Sequence, residues 1–564
     1  MCLLLKDLAV HLYWNPWTPH GASAAGAQAL ALGSGSGVEA ASVLPAEAAP
    51  ILNALLRREL TRFLRALHDR DSRRPFVSAV PRGGTGVGSA GADALWLAGG
   101  SATGKAATIM AVVKAAPPPQ EAEAGSGALM MGPMAPGAGG TGASASGAAA
   151  SASHSSGSAL GVTTEVHRAM AILRDMPFTL PFEGRLAALR AWIAADHRVS
   201  RSDFAYWPEP VRVRRATIVQ DSFEALRDYG PALKMPLRVQ FFNDQGLEEA
   251  GIGEGVMKEY LVQVLKAACA PDTGLFAATA EGDLYPDPAA RHALPEPWAL
   301  FEFTGALFGK AVYEGILLDL PLARFFLARL LGRTNTFNDL PSLDPDLHRN
   351  LLFLKNYDGD VEDLELYYAV TDGAAGREYT TDLVPNGRSR RVRGSDRTEY
   401  TFLVANYRLN AQLRRPCAAF MRGFTSVVPA AWIAMFSPRE LGMVISGSDA
   451  PIDVSDWRAH ARYTSGYYAE HPVIQAFWQV VSEMDPAQRA ATLRFATSSA
   501  RPPLLGFEWL APPFCIQMAT AEEGRLPTSA TCMNLLKLPP YEDVDTMRAK
   551  LTYAVNAGCG FELS

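Results

Sequence analysis

The apolar positions along the chain fall into three regimes. In ILNALLRRELTRFLRALHDRD, Leu55, Leu60, Phe63, Leu64 and Leu67 form a stripe among arginines, which predicts an amphipathic helix within residues 1–80. Residues 81–162 are mostly Gly, Ala, Ser and Pro, as in APGAGGTGASASGAAASASHSSGS. That composition lacks the apolar content to offset chain entropy and predicts a disordered insertion. From about 163 the pattern is globular to the end, with a helical region over 163–204. LKMPLRVQFFND reads as a strand, because Leu237, Val239 and Phe241 alternate. EGVMKEYLVQVLKAA places Val256, Tyr260, Val264 and Leu265 on one helical face, and WALFEFTGALFGKAVYEGILL is apolar enough for a central core helix.

Pro321 suits the first turn of the next helix, PLARFFLARLLG, and Gly332 its C-terminal cap. Beyond Pro341 comes a mixed stretch to about 410, with strand-like ELYYAV and YTFLVANY around turn-rich DGAAGREYTTD and PNGRSRRVRGSD. In LGMVISGSDAP, Gly447, Ser448 and Pro451 mark a short hinge near 446–450. The expected layout is therefore a mainly helical domain over 205–446, with a subdomain at about 340–410, and a smaller last domain over 447–564.

The net charge of -6 and the pI near 6.0 give no reason to expect nucleic acid as a partner. No apolar run is long enough for a membrane span, and MCLLLKDLAVHLYW lacks the basic and small-residue flanks of a signal peptide. The cysteines Cys2, Cys269, Cys417, Cys515, Cys532 and Cys559 form no C-x-x-C pair, and the histidines show no metal spacing. Neither a disulfide framework nor a zinc site is expected, no cofactor is implied, and scattered thiols fit a reducing compartment.

Two loops imitate phosphate-binding motifs. Gly86-Val-Gly88-Ser-Ala-Gly91 matches G-x-G-x-x-G but sits in the Gly-rich segment with no strand or helix pattern beside it. Gly99-x4-Gly104-Lys105 resembles a Walker A loop, yet Ala106 stands where a magnesium-ligating hydroxyl is needed. The basic run Arg388-Ser-Arg390-Arg391-Val-Arg393 reads as a solvated hairpin turn.

The segment with chemistry is RLPTSATCMNLLKLPPYEDVDTMRAKLTYAVNAGCGFELS. Cys532 follows Pro527, Thr528, Ser529 and Thr531, a loop of small polar residues in which a thiol is either exposed and reactive or merely incidental. After Pro539-Pro540 comes an amphipathic helix with Val544, Met547, Leu551 and Val555 inward and Gly558 just past its end. Cys269 in KAACA and Cys515 in PPFCIQM lie in more apolar contexts.

LPTSATCMNLLKLPPY strongly resembles the active-site loop of the HECT ubiquitin ligases, with the family's catalytic cysteine falling on Cys532 and its C-terminal phenylalanine on Phe561. The likeness is collinear over about 350 residues. SFEALRDYGPALKMPLRVQFFNDQGLEEAGIGEGVMKEYL resembles the start of the family's N-lobe, FTGALFGKAVYEGILLDLPLARFFLARLLG its core helices, and HPVIQAFWQVV with LRFATSSARPPLLGFEWL its C-lobe. SLDPDLHRNLLFLK, SARPPLLGF, TCMNLLKLP and the ending GFELS are most similar to the ubiquitin-protein ligase E3 B/C-type branch. Two departures stand out. Ala530 occupies the position where many members carry a histidine, so no local imidazole base is present. The branch's N-terminal calmodulin-binding IQ motif has no visible counterpart either, which reads as a shortened form of a longer ligase.

The resemblance implies an α+β, bilobal fold: a mainly helical N-lobe with an E2-binding subdomain, and a smaller α/β C-lobe. It implies that Cys532 accepts ubiquitin from a charged E2 as a thioester and passes it to substrate lysines, promoting polyubiquitination and proteasomal degradation in the cytoplasm and nucleus. The expected partners are the charged E2, ubiquitin, protein substrates and the proteasome. Leu347, Leu351, Tyr357, Tyr367 and Leu403 are expected to line the E2 groove, or else to form subdomain core. Thr531 is expected to support the loop or the oxyanion, Phe561 to dock the tail or simply pack, and Glu562 to act as base or stand as solvated surface. A cysteine hydrolase would need a signature such as C-G-S-C-W, which is missing. A non-catalytic scaffold fits poorly with an intact TCMN loop and Phe561.

Overall fold

The computed structural model describes residues 9–10, 48–73, 105–119, 156–202, 209–243, 246–248, 254–374, 377–448, 450–520 and 525–557. The chain divides into two compact units, Met1–Trp192 and Ile193–Ser564. The division falls inside a helix, within the stretch expected as a single helical region over 163–204.

The first unit contains helices α1 (Ala48–Arg73), α2 (Lys105–Ala115), α3 (Ser156–Asp175) and the first part of α4 (Phe182–Ser202). In α1, Leu60 and Leu64 are buried one turn apart, whereas Leu55 and Phe63 are exposed. The apolar stripe is therefore narrower than its leucines suggest, and Thr61 and Asp71 complete the buried side. Arg65 donates to the Asp175 carbonyl at 2.6 Å, and the His68 and Phe178 rings stack. Helix α2 lies inside the segment expected to be disordered: Ile109, Met110 and Val113 give it a local apolar face, and all three are buried. Lys105 of the Walker-like loop is its first residue, while the loop's glycines and the Gly86–Gly91 motif lie outside the described residues.

In the second unit, β1 (Val211–Arg214) leads through α5 (Ile218–Leu226) to β2 (Val239–Phe242), its parallel partner. The strand expected from 233 starts only at Val239, because Gly230–Lys234 forms a 3₁₀ turn. Helix α6 (Glu254–Ala268) buries Tyr260, Val264 and Leu265. The hairpin β3 (Phe276–Ala278) and β4 (Leu284–Pro286) precedes α7 (Pro297–Glu314), whose residues are buried on nearly every side. This is the expected central helix. It ends at Gly315, whose φ of 74° supplies the left-handed cap. Helix α8 (Arg324–Leu330) begins three residues after Pro321, whose carbonyl instead accepts from Leu284. Gly332, at φ 69°, caps the C-terminal end as expected.

Helices α9 (Pro345–Lys355) and α10 (Arg397–Asn406) flank the antiparallel hairpin β5 (Ala369–Ala374) and β6 (Arg377–Asp382). YTFLVANY is thus helical rather than strand-like: Tyr400 and Val404 are buried four residues apart, on one helical face. The basic run follows the hairpin instead of turning it, with Arg388 paired to Asp382 and Arg391 to Glu365 on the surface. Asn335 and Asn410, which bracket this stretch of chain, exchange buried hydrogen bonds at 3.0 and 2.9 Å. Helix α11 (Arg414–Val427) crosses α7 at very close range: a Cβ on Gly423 would lie 1.7 Å from the Glu302 carbonyl oxygen. Phe276, Phe308, Phe326 and Phe420 fill the core beside that crossing with edge-on and tilted ring contacts.

Helix α12 (Pro438–Ser446) ends at Gly447, φ 93°. After it come α13 (Val454–Ala459), β7 (Arg462–Thr464), α14 (Pro472–Glu483), α15 (Pro486–Thr497), β8 (Cys515–Met518), β9 (Thr528–Ala530), β10 (Leu535–Leu538) and α16 (Val544–Ala557). The four strands form one sheet in the order β7-β8-β10-β9, parallel except for the β10–β9 pair. Trp457, Phe477, Trp478, Ile516, Leu536, Met547 and Leu551 belong to a hydrophobic cluster drawn wholly from this part of the chain. Helix and sheet are thus mixed in the α+β proportion expected. Among the described residues no helix is long and apolar enough to cross a membrane.

Candidate active site

Strands β9 and β10 are adjacent and antiparallel, with Ala530 opposite Leu535. The connection between them is one 3₁₀ turn, Thr531–Met533, with Cys532 at its centre. The turn ends at Asn534, which adopts the left-handed conformation (φ 50°, ψ 40°) that asparagine tolerates better than most side chains. Asn534 is fully buried and satisfied: its Nδ2 donates to the Pro512 carbonyl at 2.6 Å, and its carbonyl accepts from Cys515 N at 3.0 Å. The loop predicted around Cys532 is therefore a short connection pinned between two strands. The backbone of Cys532 is described, while its side chain, Cys559, Phe561 and Glu562 lie outside the described residues.

The third fixed point comes from far away in sequence. Lys258, on α6, donates to Asn534 Oδ1 at 2.6 Å, to the Thr531 carbonyl at 3.2 Å and to the Thr497 carbonyl at 3.0 Å. Thr497 is the last residue of α15, where the helix dipole concentrates negative charge. Sequence reasoning missed both Lys258 and Asn534. Asn534 carries a local signal, since an Asn directly after a reactive-looking loop suits a left-handed cap. A single lysine on an amphipathic helix carries none.

Burial sets two of the other thiols, Cys269 and Cys417, apart from a nucleophilic role. Cys269 and Cys417 are both buried, which disfavours the thiolate, and in Cys417 burial outweighs the opposing charge of Arg329. Burial pushes Cys417 up to about 12 and Cys269 higher still. Cys515 sits on β8, with its Sγ 3.6 Å from the Thr464 hydroxyl. Ser529, three residues before Cys532, holds a buried hydroxyl with no partner among the described residues. Thr531 is half-buried. Among the described residues no cluster of His, Cys, Asp and Glu has the arrangement of a metal site.

The residues expected to line an E2 groove lie on α9, on α10 and between them, and differ in exposure. Leu351 is only 4% exposed and packs inward with Leu354 from α9. Leu347, Tyr357 and Leu403 are half-buried, and Tyr367 is exposed, its hydroxyl accepting from Arg391 at 3.1 Å. The same stretch of chain carries side chains that sequence reasoning passed over: Phe353, against Tyr357, at 62% and Phe402 at 61% exposure, with Leu352 and Leu364 also exposed. Phe353 and Leu352 lie off the buried Leu351/Leu354 stripe of α9, and that offset is the signal that marks them as surface.

The family model for the HECT-domain (ubiquitin-transferase) matches residues 262–564, more than half of the chain. The chain belongs to the HECT-domain family. It is 41% identical over 404 residues to "E3 ubiquitin-protein ligase UPL6" of Arabidopsis thaliana, covering 70% of this chain and 39% of that protein. It is 37% identical over 434 residues to "Ubiquitin-protein ligase E3B" of Homo sapiens, covering 70% of this chain and 40% of that protein. With "E3 ubiquitin-protein ligase HUL5" of Saccharomyces cerevisiae it shares 35% identity over 419 residues, covering 70% and 45%. The chain thus spans about two-fifths of the length of the curated relatives it matches. The similarity to E3B bears out the branch assigned from SARPPLLGF and TCMNLLKLP. Both the Cys532 turn and the surface of α9 and α10 fall within the matched HECT region.

Proposed function

We propose that this chain is a HECT-type E3 ubiquitin ligase in which Cys532 carries ubiquitin as a thioester between a charged E2 and substrate lysines. The observation that carries this reading is the placement of Cys532 in the 3₁₀ turn joining β9 to β10, fixed by Asn534, within the HECT-matched region. The enclosure of Cys269 and Cys417 supports it by leaving fewer competing thiols.

Two acyl transfers follow. In the first, the Cys532 thiolate adds to the ubiquitin carbonyl held on the E2 cysteine, and the E2 thiolate leaves. Exchange of one thioester for another is near thermoneutral, so positioning supplies much of the rate. With Ala530 in place of a local imidazole, the step draws on the high intrinsic nucleophilicity of a cysteine thiolate. Backbone N–H groups around Thr531–Met533 are the donors suited to the carbonyl oxygen as it gains charge, with the Thr531 hydroxyl as a further donor. Phe561 serves to dock the C-terminal tail, and Glu562 is a base available for the incoming amine.

The apolar surface formed by Phe353, Phe402, Leu352 and Leu364, with Tyr367, Tyr357, Leu347 and Leu403 beside it and Leu351 packed beneath, is the docking face for the E2. The 447–564 portion is the C-lobe, a reading supported by its own hydrophobic cluster. Gly447 is the pivot: its positive φ and the 2.8 Å that would separate a Cβ from Arg501 reserve the position for glycine. The products are ubiquitinated proteins destined for the proteasome, in the cytoplasm and nucleus, where thiols stay reduced. Mixing the chain with ubiquitin-charged E2 tests this reading. A thiol-sensitive ubiquitin adduct is expected, and ubiquitin transfer by Cys532→Ala contradicts it.

A further inference from the structure

Lys258 belongs to α6, in the helical part of the chain that precedes Gly447, yet its ammonium bonds to three oxygens that all come after Gly447. Two of the three belong to the structure around Cys532. The Thr531 carbonyl is half of the peptide group whose N–H is that of Cys532, and the Asn534 amide is the group that ends the turn. The third, the Thr497 carbonyl, is at the C-terminus of α15, a helix that also packs on the turn. An ammonium has three donors, and here each finds an acceptor whose negative end points at it.

Two physical consequences follow for the Thr531–Cys532 peptide. A charged donor on its carbonyl fixes the plane of the peptide. It also draws electron density toward oxygen, which makes the Cys532 N–H a stronger donor through the same cooperativity that links hydrogen-bond chains. That N–H is one of those assigned above to the developing oxyanion. The turn rests on α6 and α15 in this arrangement.

We infer that Lys258 is a positioning residue for the second transfer, holding the Cys532 turn in place and polarising its peptide while ubiquitin passes to an amine. This rests on the reading of Cys532 as the ubiquitin carrier. In that step the lysine nitrogen adds to the thioester carbonyl carbon and gives its proton to the base assigned above, charge collects on the carbonyl oxygen, the C–S bond breaks, and Cys532 departs as the thiolate, to which that proton returns. Loading from the E2 uses a different placement of the turn, facing the surface of α9 and α10, and depends less on Lys258.

The test is a single-turnover comparison on the full chain. Ubiquitin is loaded from a charged E2, loading is stopped, and the thioester is chased with free lysine. Lys258→Met is expected to lower discharge about tenfold more than loading, the scale of one lost charge-assisted bond. Lys258→Arg, which keeps charge and donors, is expected to recover most of the loss. Amide exchange over 528–538, which needs no activity, is expected to quicken in Lys258→Met. Equal loss of loading and discharge, unchanged discharge, or unchanged exchange overturns the inference while leaving the Cys532 thioester standing. A wild-type chain that forms no thioester overturns both.

Discussion

Asn534 places its side-chain amide 2.6 Å from the Pro512 carbonyl while holding a left-handed backbone, so one residue both ends the Cys532 turn and anchors it to the segment before β8. Alanine at this position removes the buried hydrogen bonds and keeps the unfavourable φ; glycine removes the bonds but relieves the backbone. Asn534→Ala is expected to cost about 2–4 kcal/mol in denaturant unfolding, with Asn534→Gly losing less. Equal stability of the Ala variant and the wild type would show that the turn is held some other way.

The surface of α9 and α10 contrasts two kinds of apolar residue. Phe353 and Phe402 are exposed, so Phe353→Ala and Phe402→Ala should leave the unfolding midpoint nearly unchanged and slow loading from a charged E2 by about tenfold each. Leu351 is enclosed, so Leu351→Ala should instead lose about 2–5 kcal/mol of stability. Loading rates and urea unfolding curves together separate the two. Normal loading by both phenylalanine variants would move the E2 to another face.

Asp221 gives the second unit a defined acid sensitivity. Its carboxylate accepts from the Arg214 side chain at 2.7 and 3.0 Å, from Arg214 N at 2.9 Å and from Thr217 at 3.0 Å. These bonds hold its pKa at about 2, below the ordinary 3.8. A depressed folded-state pKa gives stabilisation that is complete above the unfolded value and is lost as pH falls through the folded one. The wild-type chain should therefore lose stability more steeply than Asp221→Asn between about pH 4 and pH 2. Parallel stability profiles over that window would contradict the assignment.

The elements with a clean period were legible in the sequence. α6 and α7 appear where EGVMKEYLVQVLKAA and WALFEFTGALFGK place their apolar faces, and Met547 and Leu551 are buried in α16 as their spacing requires. YTFLVANY misled because its aromatic and β-branched residues suit a strand, while the buried set Tyr400, Thr401, Val404 and Ala405 obeys a helical period set by tertiary packing. The Gly-rich segment hid α2 because its apolar runs are short and separated by Gly-, Ala- and Ser-rich stretches. At the site, Cys532 was legible as a candidate from its loop and its resemblance. Its connection to Lys258 was not, because that contact joins groups far apart in sequence and a lone lysine on a helix reads as a solvated one.

In the proposed reaction Cys532 itself forms the acyl bond to ubiquitin. The most direct measurement is peptide mapping by mass spectrometry of Cys532→Ser after incubation with ubiquitin-charged E2. A thiol-resistant oxyester on residue 532 is the expected result, with the wild-type adduct at the same residue removed by thiols. A ubiquitin adduct that maps to Cys515 or Cys559, or that persists undiminished in Cys532→Ala, would contradict the account.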